Sequence, residues 1–413
     1  MITKLAWKNI WFKPLNTILS LVLLTSSVAI STVLILVEKQ FEEKFTSSIE
    51  NVDLVLGAQG SPLQLILSSV YQVDTPTGNI NFDEAKTWMN HPFVEQAIPL
   101  AFGDNYKGYK ILGTTPAYLD KYGAKIKEGK LFSKNFEVVI GSELAKNLKL
   151  EVGATFYGAH GDAAEGEVHE NFSYKVVGIA TETGKIVDNL IICTIPSVWQ
   201  MHHNETESSE NQNVDSVEAP HHNQDLTLDE PNMEITAVLL KIRNQMAKLT
   251  WQRLIPQNTK MQAVSPAFEI NRLFGLFGIG FDALKYLAFG IMLVSGISIF
   301  IALFSTLKER KTEFALLRVN GAKRMQLLKI VFIESMLLCC VGFFFGTVLG
   351  RIVLVLVSKS TEAEFKMAFN PYEFLWKKEG ILFLLTIFVG VLAALIPAIK
   401  AYYLNISKTL ANA

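Results

Sequence analysis

The chain has 413 residues, of which 50% are hydrophobic and only 19% charged, with a formal net charge of −1. Soluble domains carry about 25% charged residues, so this balance argues against a purely soluble protein, and the near-zero charge gives no global basis for nucleic-acid binding. The apolar excess is concentrated in four blocks rather than spread along the chain.

The opening "LAWKNIWFK" sets Trp7, Trp11 and Phe12 among lysines. That pattern predicts a short helix lying in the membrane interface, with its aromatic rings at headgroup depth. A spanning helix needs about 20 mostly apolar residues to cross about 30 Å of hydrocarbon. Four stretches meet this: Leu15 to Val37, Tyr286 to Leu307, Ile330 to Gly350 and Ile381 to Ile399. The first follows a basic segment, as a signal peptide does. Its apolar part is longer than the 7–15 residues typical of such a segment, roughly, and no small-x-small site precedes Glu38, so it reads as a retained span.

Lysine and arginine asymmetry sets orientation. The loop between spans two and three holds Lys308, Arg310, Lys311, Arg318, Lys323, Arg324 and Lys329, and the N-terminus is basic too. Both are expected in the cytoplasm, with residues 38–283 outside and the C-terminus, carrying Lys400 and Lys408, back inside.

Between spans one and two, "GYKILGTT", "FEVVIGSELAKNLKLEVGATFYG", "ENFSYKVVGIATETG", "NLIICTIPSVWQMH" and "EITAVLLKI" read as short strands with helical pieces, broken by glycine-bearing turns. The expected fold class is therefore a membrane protein with four transmembrane α-helices plus a large α+β extracytoplasmic domain inserted between helices 1 and 2. Cys193 is the only cysteine of that domain, so it holds no internal disulfide, and Cys339 and Cys340 fall within span three as packing residues. Residues 202–231 are acidic and polar, without Lys or Arg, and cannot offset the entropy of ordering; they are expected to form a mobile insert. His202, His203, His221 and His222 flank its acidic part. Imidazole with carboxylate on a flexible loop is chemistry that binds zinc or copper weakly, and the stretch reads first as a solvated, charge-rich linker with incidental histidines. The segment 57–80, "GAQGSPLQLILSSVYQVDTPTGNI", brackets an amphipathic helix with Pro62 and Pro76. It reads either as a surface for cargo or the outer face of the membrane, or as a packing element of the stalk.

The basic loop carries the strongest pattern. "KERKTEFALLRVNGAKRMQLLKIVFIES" resembles the signature loop of the FtsX/MacB-type permeases of ABC transporters, through Glu309, Arg310, Glu313, Leu317, Arg318, Gly321, Ala322, Arg324, Glu334 and Ser335. Asn320 departs from the pattern, which usually has an apolar residue there. The layout of an interfacial helix, one span, a large external domain and three closely spaced spans is similar to that family over essentially the whole chain. "VVIGSELAKNLKLEVGATF" and "YKVVGIATETG" resemble its MacB-type periplasmic core domain.

The resemblance implies three regions: 1–37 with the interfacial helix and first span, 38–283 as the extracytoplasmic domain, and 284–413 as the FtsX-like part with a cytoplasmic coupling loop at 308–329. Within that loop Glu309, Arg310, Glu313, Phe314, Leu317, Arg318, Gly321, Ala322 and Arg324 are the expected ATPase-coupling residues. On the residues alone, "ERKTEFALLRVNG" is an amphipathic helix with Phe314, Leu317 and Arg318 near one face, and Gly321 can supply the left-handed conformation that ends it. Such a helix suits a groove on a soluble partner, and its charges equally suit anchoring at headgroups. Gly342, Gly346 and Gly350 in span three form a small-xxx-small series for close helix packing.

No Gly-x-x-x-x-Gly-Lys-(Ser/Thr) loop occurs, so ATP and Mg²⁺ are expected on a separate ATP-binding subunit and this chain is not expected to be an enzyme. The resemblance implies a permease subunit in the bacterial inner membrane, paired with a second permease copy as a homo- or heterodimer, that passes ATPase motion to the periplasmic domain. Export or extraction of a lipoprotein, lipid, peptide or drug is one reading. Control of a periplasmic enzyme without transport, or metal-linked envelope handling, are others. Membrane lipid and a periplasmic adaptor, lipoprotein or outer-membrane protein are the further partners implied. A membrane-anchored structural or receptor protein is the alternative outside the family.

Overall fold

The computed structural model describes residues 7, 12, 14–159, 168–201, 227–365 and 369–406. The chain divides into two compact units, residues 1–42 with 275–413, and residues 43–274. The interfacial-helix reading of the N-terminus lies outside the described residues except at Trp7 and Phe12, both exposed. The histidine insert lies outside them through residue 226.

In chain order the elements are α1 (Pro14–Ile49), β1 (Leu54–Ala58), α2 (Pro62–Ser69), β2 (Ile80–Asn81), α3 (Phe82–Met89), β3 (Val94–Tyr106) and β4 (Tyr109–Gly113). There follow α4 (Ala117–Tyr122), β5 (Ile126–Gly129), β6 (Glu137–Ile140), α5 (Ser142–Leu148), β7 (Thr155–Ala159), β8 (Val168–Ala180) and β9 (Ile191–Cys193). The chain continues through β10 (Glu234–Ile235), β11 (Ala237–Ile242), α6 (Gln245–Asn258), β12 (Met261–Val264), α7 (Pro266–Glu309), α8 (Lys311–Val319), α9 (Arg324–Phe365) and α10 (Trp376–Tyr402).

Four of these helices, α1, α7, α9 and α10, are long and apolar enough to cross a membrane. They coincide with the four apolar blocks, yet three of them run well beyond. Hydropathy falls at Glu38, but "EKQFEEKFTSSI" contains neither Gly nor Pro, so the backbone ladder of α1 continues to Ile49. The helix α7 begins at Pro266, twenty residues before the apolar block, with proline at a first-turn position where its missing N–H costs nothing.

The membrane unit is held by short polar links between helices. Ser27 Oγ donates to the Ala288 carbonyl at 2.9 Å, and the Ser20 and Ser298 hydroxyls share a hydrogen bond of 2.8 Å, joining α1 to α7. Ser335 Oγ donates to the Gly390 carbonyl at 2.7 Å, joining α9 to α10. Leu24, Ile299, Leu303, Leu307, Leu327, Ile330 and Ala398 fill the space between the four spans. At the other end of the unit, Arg351 Nη2 donates to Glu379 Oε1 at 2.7 Å, and that carboxylate also accepts from the Leu375 N–H at 3.3 Å. Glu379 is 2% exposed, and the Arg351 guanidinium lies 5.5 Å from the centre of the Phe374 ring.

In the external unit ten strands form one mixed sheet in the order β12-β1-β11-β3-β4-β9-β6-β8-β5, with β7 bridging β3 and β8. The thirteen-residue β3 is the shared element: it pairs with β11 from Val94 to Leu100 and with β4 from Ala101 to Tyr106, all antiparallel. The pairs β4–β9 and β6–β8 are parallel. Helices cover this sheet around a core that includes Leu54, Leu56, Ile111, Val138, Ile140 and Ile191, which makes the unit α+β.

The two stretches singled out in the sequence meet here. Gly141 opens α5, and a Cβ on it would overlap the Asp188 backbone. Asp188 in turn accepts hydrogen bonds from Thr183 N and Oγ1 and from Gly184 N, which shapes the turn of "TETGKIVDN". The segment 57–80 turns its bulk inward: Leu65, Ile66, Val70 and Tyr71 are all buried, and the Tyr71 hydroxyl donates to the Phe45 carbonyl at 2.7 Å. That placement is the packing alternative.

Two predictions follow from these pairs. Arg351→Leu leaves a buried carboxylate without its cation and is expected to cost about 3–5 kcal/mol, while the double variant with Glu379→Leu recovers most of the loss; thermal melts in mild detergent measure both. In the external unit, Glu137 accepts from Lys130 Nζ, Ser133 N and Oγ and Lys134 N, and the Lys130 ammonium first among these draws its carboxyl down to about 2. Its contribution is present above the ordinary carboxylate range and is lost as pH falls toward 2. Glu137→Gln is expected to raise amide exchange across residues 130–140 by about tenfold at pH 7, with the difference from wild type shrinking as pH approaches 2.

Candidate coupling site between spans two and three

The hairpin between α7 and α9 is a built turn. The helix α7 stops at Glu309 and Arg310 leaves helical geometry at φ −94° and ψ 16°. Arg310 Nε donates to Glu313 Oε2 at 2.7 Å, Nη2 donates to the same oxygen, and the guanidinium lies 5.3 Å from the centre of the Phe12 ring. Short α8 then carries Phe314 and Ala315 into the membrane unit, where Phe314 packs among Leu303, Leu307 and Leu327.

The end of α8 is fixed just as closely. Gly321 takes φ +91°, a conformation that favours glycine, and its N–H donates to the Arg318 carbonyl at 3.1 Å. Ala322 N donates to the Leu317 carbonyl at 3.0 Å, and Arg318 Nη1 closes the turn onto the Ala322 carbonyl at 2.5 Å. Lys323 N donates to Gln326 Oε1 at 2.7 Å, capping the restart into α9, whose first residue is Arg324.

The structure thus brings Arg310 and Glu313 together, clamps Arg318 to Ala322, and turns Phe314 inward with Leu317 partly buried beside it. Glu309, Glu313, Gly321 and Arg324 are exposed. The outward apolar residues are ones that sequence reasoning passed over: Leu316 is 50% exposed, Val319 61% and Met325 53%. The i, i+3 spacing of Leu316 and Val319, opposite Phe314, was the available signal.

Gly342, Gly346 and Gly350 lie along α1. A Cβ on Gly342 would reach to 2.5 Å of Leu24, one on Gly346 to 2.6 Å of Val28, and one on Gly350 to 2.9 Å of the Ala29 carbonyl. As the glycines advance by four, their contacts on α1 advance from Leu24 through Val28 to Ala29 and Thr32, so α1 and α9 run side by side in the same direction with their backbones close.

His202, His203, His221 and His222 lie outside the described residues. Among the described residues, no group of three or more His, Cys, Asp or Glu is placed to hold a metal ion.

A family model, the MacB-like periplasmic core domain, matches residues 16–245, and a second, the FtsX-like permease C-terminal, matches residues 286–406. The chain belongs to the FtsX/MacB-type permease family. It is accordingly a transmembrane subunit of an ABC transporter and a multi-pass membrane protein. A comparison with curated proteins finds no match. Among solved structures, the periplasmic region of MacB from Actinobacillus actinomycetemcomitans is similar at 11% identity and a TM-score of 0.35, covering 56% of this chain and 97% of that one. The extracellular domain of the noncanonic ABC-type transporter YknZ from Gram-positive bacteria is similar at 13% identity and a TM-score of 0.30, covering 51% and 99%.

The glycine contacts give a direct test. Gly346→Leu is expected to force α9 off Val28 and lower the melting stability of the purified FtsX/MacB-type permease by about 1–3 kcal/mol, whereas the same change at Gly380, which faces open space, has little effect.

Proposed function

We propose that α8 and its two turns are the docking element for a cytoplasmic ATPase, and that this chain, paired with a second permease copy in the cytoplasmic membrane, passes the ATPase's motion to the external unit. The reading carries the basic hairpin and both termini to the cytoplasmic side. One observation supports it above others. On a nine-residue helix, Phe314 and Ala315 face inward while Leu316 and Val319, with Met325 just beyond, stand exposed among Glu309, Lys311, Glu313, Lys323 and Arg324. Anchoring at headgroups needs the lysines and arginines but not a rigid turn on either side. A docking knob needs both, because a helix that yields under load transmits nothing.

The apolar tip carries the binding energy in this reading, with the charges setting orientation and rate. Arg318 acts indirectly, by holding the Ala322 carbonyl. The work done outside is release or movement of a periplasmic or membrane-embedded substrate, and the partner recovered with the chain identifies which.

Leu316→Glu combined with Val319→Glu is expected to lower co-purification of the ATPase by about tenfold or more, with the helical content and melting temperature of the chain unchanged. Arg318→Glu is expected to weaken capture and also loosen the turn, seen as faster amide exchange at Gly321 and Ala322. Undiminished ATPase capture by the Leu316/Val319 variant would sink the assignment.

A further inference from the structure

A cavity of about 250 Å³ lies within the membrane unit, between α1, α7 and α10. Its walls include Leu34, Phe289, Met292 and Leu385, and among the described residues the cationic groups lining it are Lys285 and Lys378. Both lysines belong to the ends of their spans. Lys285 is one turn before Phe289, and Lys378 is two residues into α10, beside exposed Trp376. Exposed tryptophan and tyrosine mark headgroup depth, and Tyr372 and Trp376, 87% and 81% exposed, stand at this level. An apolar slot with ammonium groups at headgroup depth has the chemistry of a lipid seat.

The charges narrow the occupant. Lys285 Nζ donates to Glu38 Oε1 at 2.8 Å and to Asp282 Oδ1 at 3.3 Å, leaving one of its three N–H donors. Lys378 makes no ion pair or hydrogen bond among the described residues. The two lysines lining the cavity and the two carboxylates that Lys285 bonds balance to zero. An anionic headgroup would meet Glu38 and Asp282, whereas a zwitterionic headgroup matches both signs. We propose that this groove binds one phospholipid with a primary-amine headgroup, its acyl chain against Leu34, Phe289, Met292 and Leu385, its phosphate on Lys378 and the free donor of Lys285, and its ammonium toward Glu38.

This site does not depend on ATPase docking. The test uses the full chain in mild detergent, stripped of lipid and then given equal amounts of phosphatidylethanolamine, phosphatidylglycerol and diacylglycerol, with bound lipid counted by native mass spectrometry. The expected result is one phosphatidylethanolamine per chain in excess over the other two. Lys378→Glu is expected to lower its occupancy by about tenfold, the loss of one charge-assisted contact. Met292→Trp fills the groove and is expected to abolish binding with both lysines intact, while Lys377→Glu, off the groove, leaves it unchanged. If Lys378→Glu does not fold, Lys378→Gln replaces it. Equal retention of all three lipids, preference for phosphatidylglycerol, or wild-type retention by both groove variants would overturn the proposal. So would efficient disulfide formation between two copies of Leu385→Cys in native membranes, which would seat a second chain there instead.

Discussion

Hydrocarbon offers backbone N–H and C=O groups no water, so a chain that crosses it has to satisfy each of them internally. The membrane unit is arranged around that constraint. Its spans are unbroken helices of 27 to 44 residues, and hydroxyls on short stems, Ser20, Ser27 and Ser335, are among the groups that link them. A serine reaches only as far as a neighbouring helix surface, so these bonds exist only where backbones are already close. Glycine supplies the closeness. Gly346 against Val28 and Gly390 against Cys339 leave no room for a Cβ. Lipid is as apolar as leucine, so this packing, not the exclusion of water, selects one arrangement of the helices.

Two ion pairs hold charge at the two ends of the unit. Arg351 and Glu379 answer each other at one end, and Arg310 and Glu313 at the other. The two pairs differ in setting. Glu379 is fully buried, and its partner is fixed by a ring and a backbone carbonyl, so the pair locks α9 to α10. Glu313 is exposed, and a surface pair adds little stability on its own. Its use is geometric, because it holds the guanidinium that starts α8 at a defined angle.

Much of this was legible in the sequence, for physical reasons that differ by region. The spans were visible because twenty apolar residues in a row have no other common use. Their full helical length was not, because hydropathy drops at Glu38 while the helix persists wherever nothing breaks the ladder; "EKQFEEKFTSSI" is polar and helical at once. The left-handed turn at Gly321 was readable from the residue type. Spacing puts Phe314 and Leu316 on opposite faces of α8, but both are apolar, and only the packing of Leu303 and Leu327 decides which face is covered. The inward set of the segment 57–80 was equally hidden, because an amphipathic helix does not say what lies against its apolar face.

The distribution of charge then separates the two ends of the membrane unit by what each can recognise. At the hairpin, lysines and arginines outnumber carboxylates, and the exposed apolar residues stand on a helix held by two fixed turns. A rigid, unbalanced, convex surface suits a folded partner that can bring its own complementary charge and a matching groove. At the opposite end, Lys285, Lys378, Glu38 and Asp282 balance, and the apolar surface is concave. A balanced hollow at headgroup depth gives a folded protein little to grip, yet it matches in shape and sign a small amphiphile whose two charges are a few bonds apart. The proposed docking element uses α8 and its turns and the proposed lipid seat uses α1, α7 and α10, so neither reading borrows residues from the other.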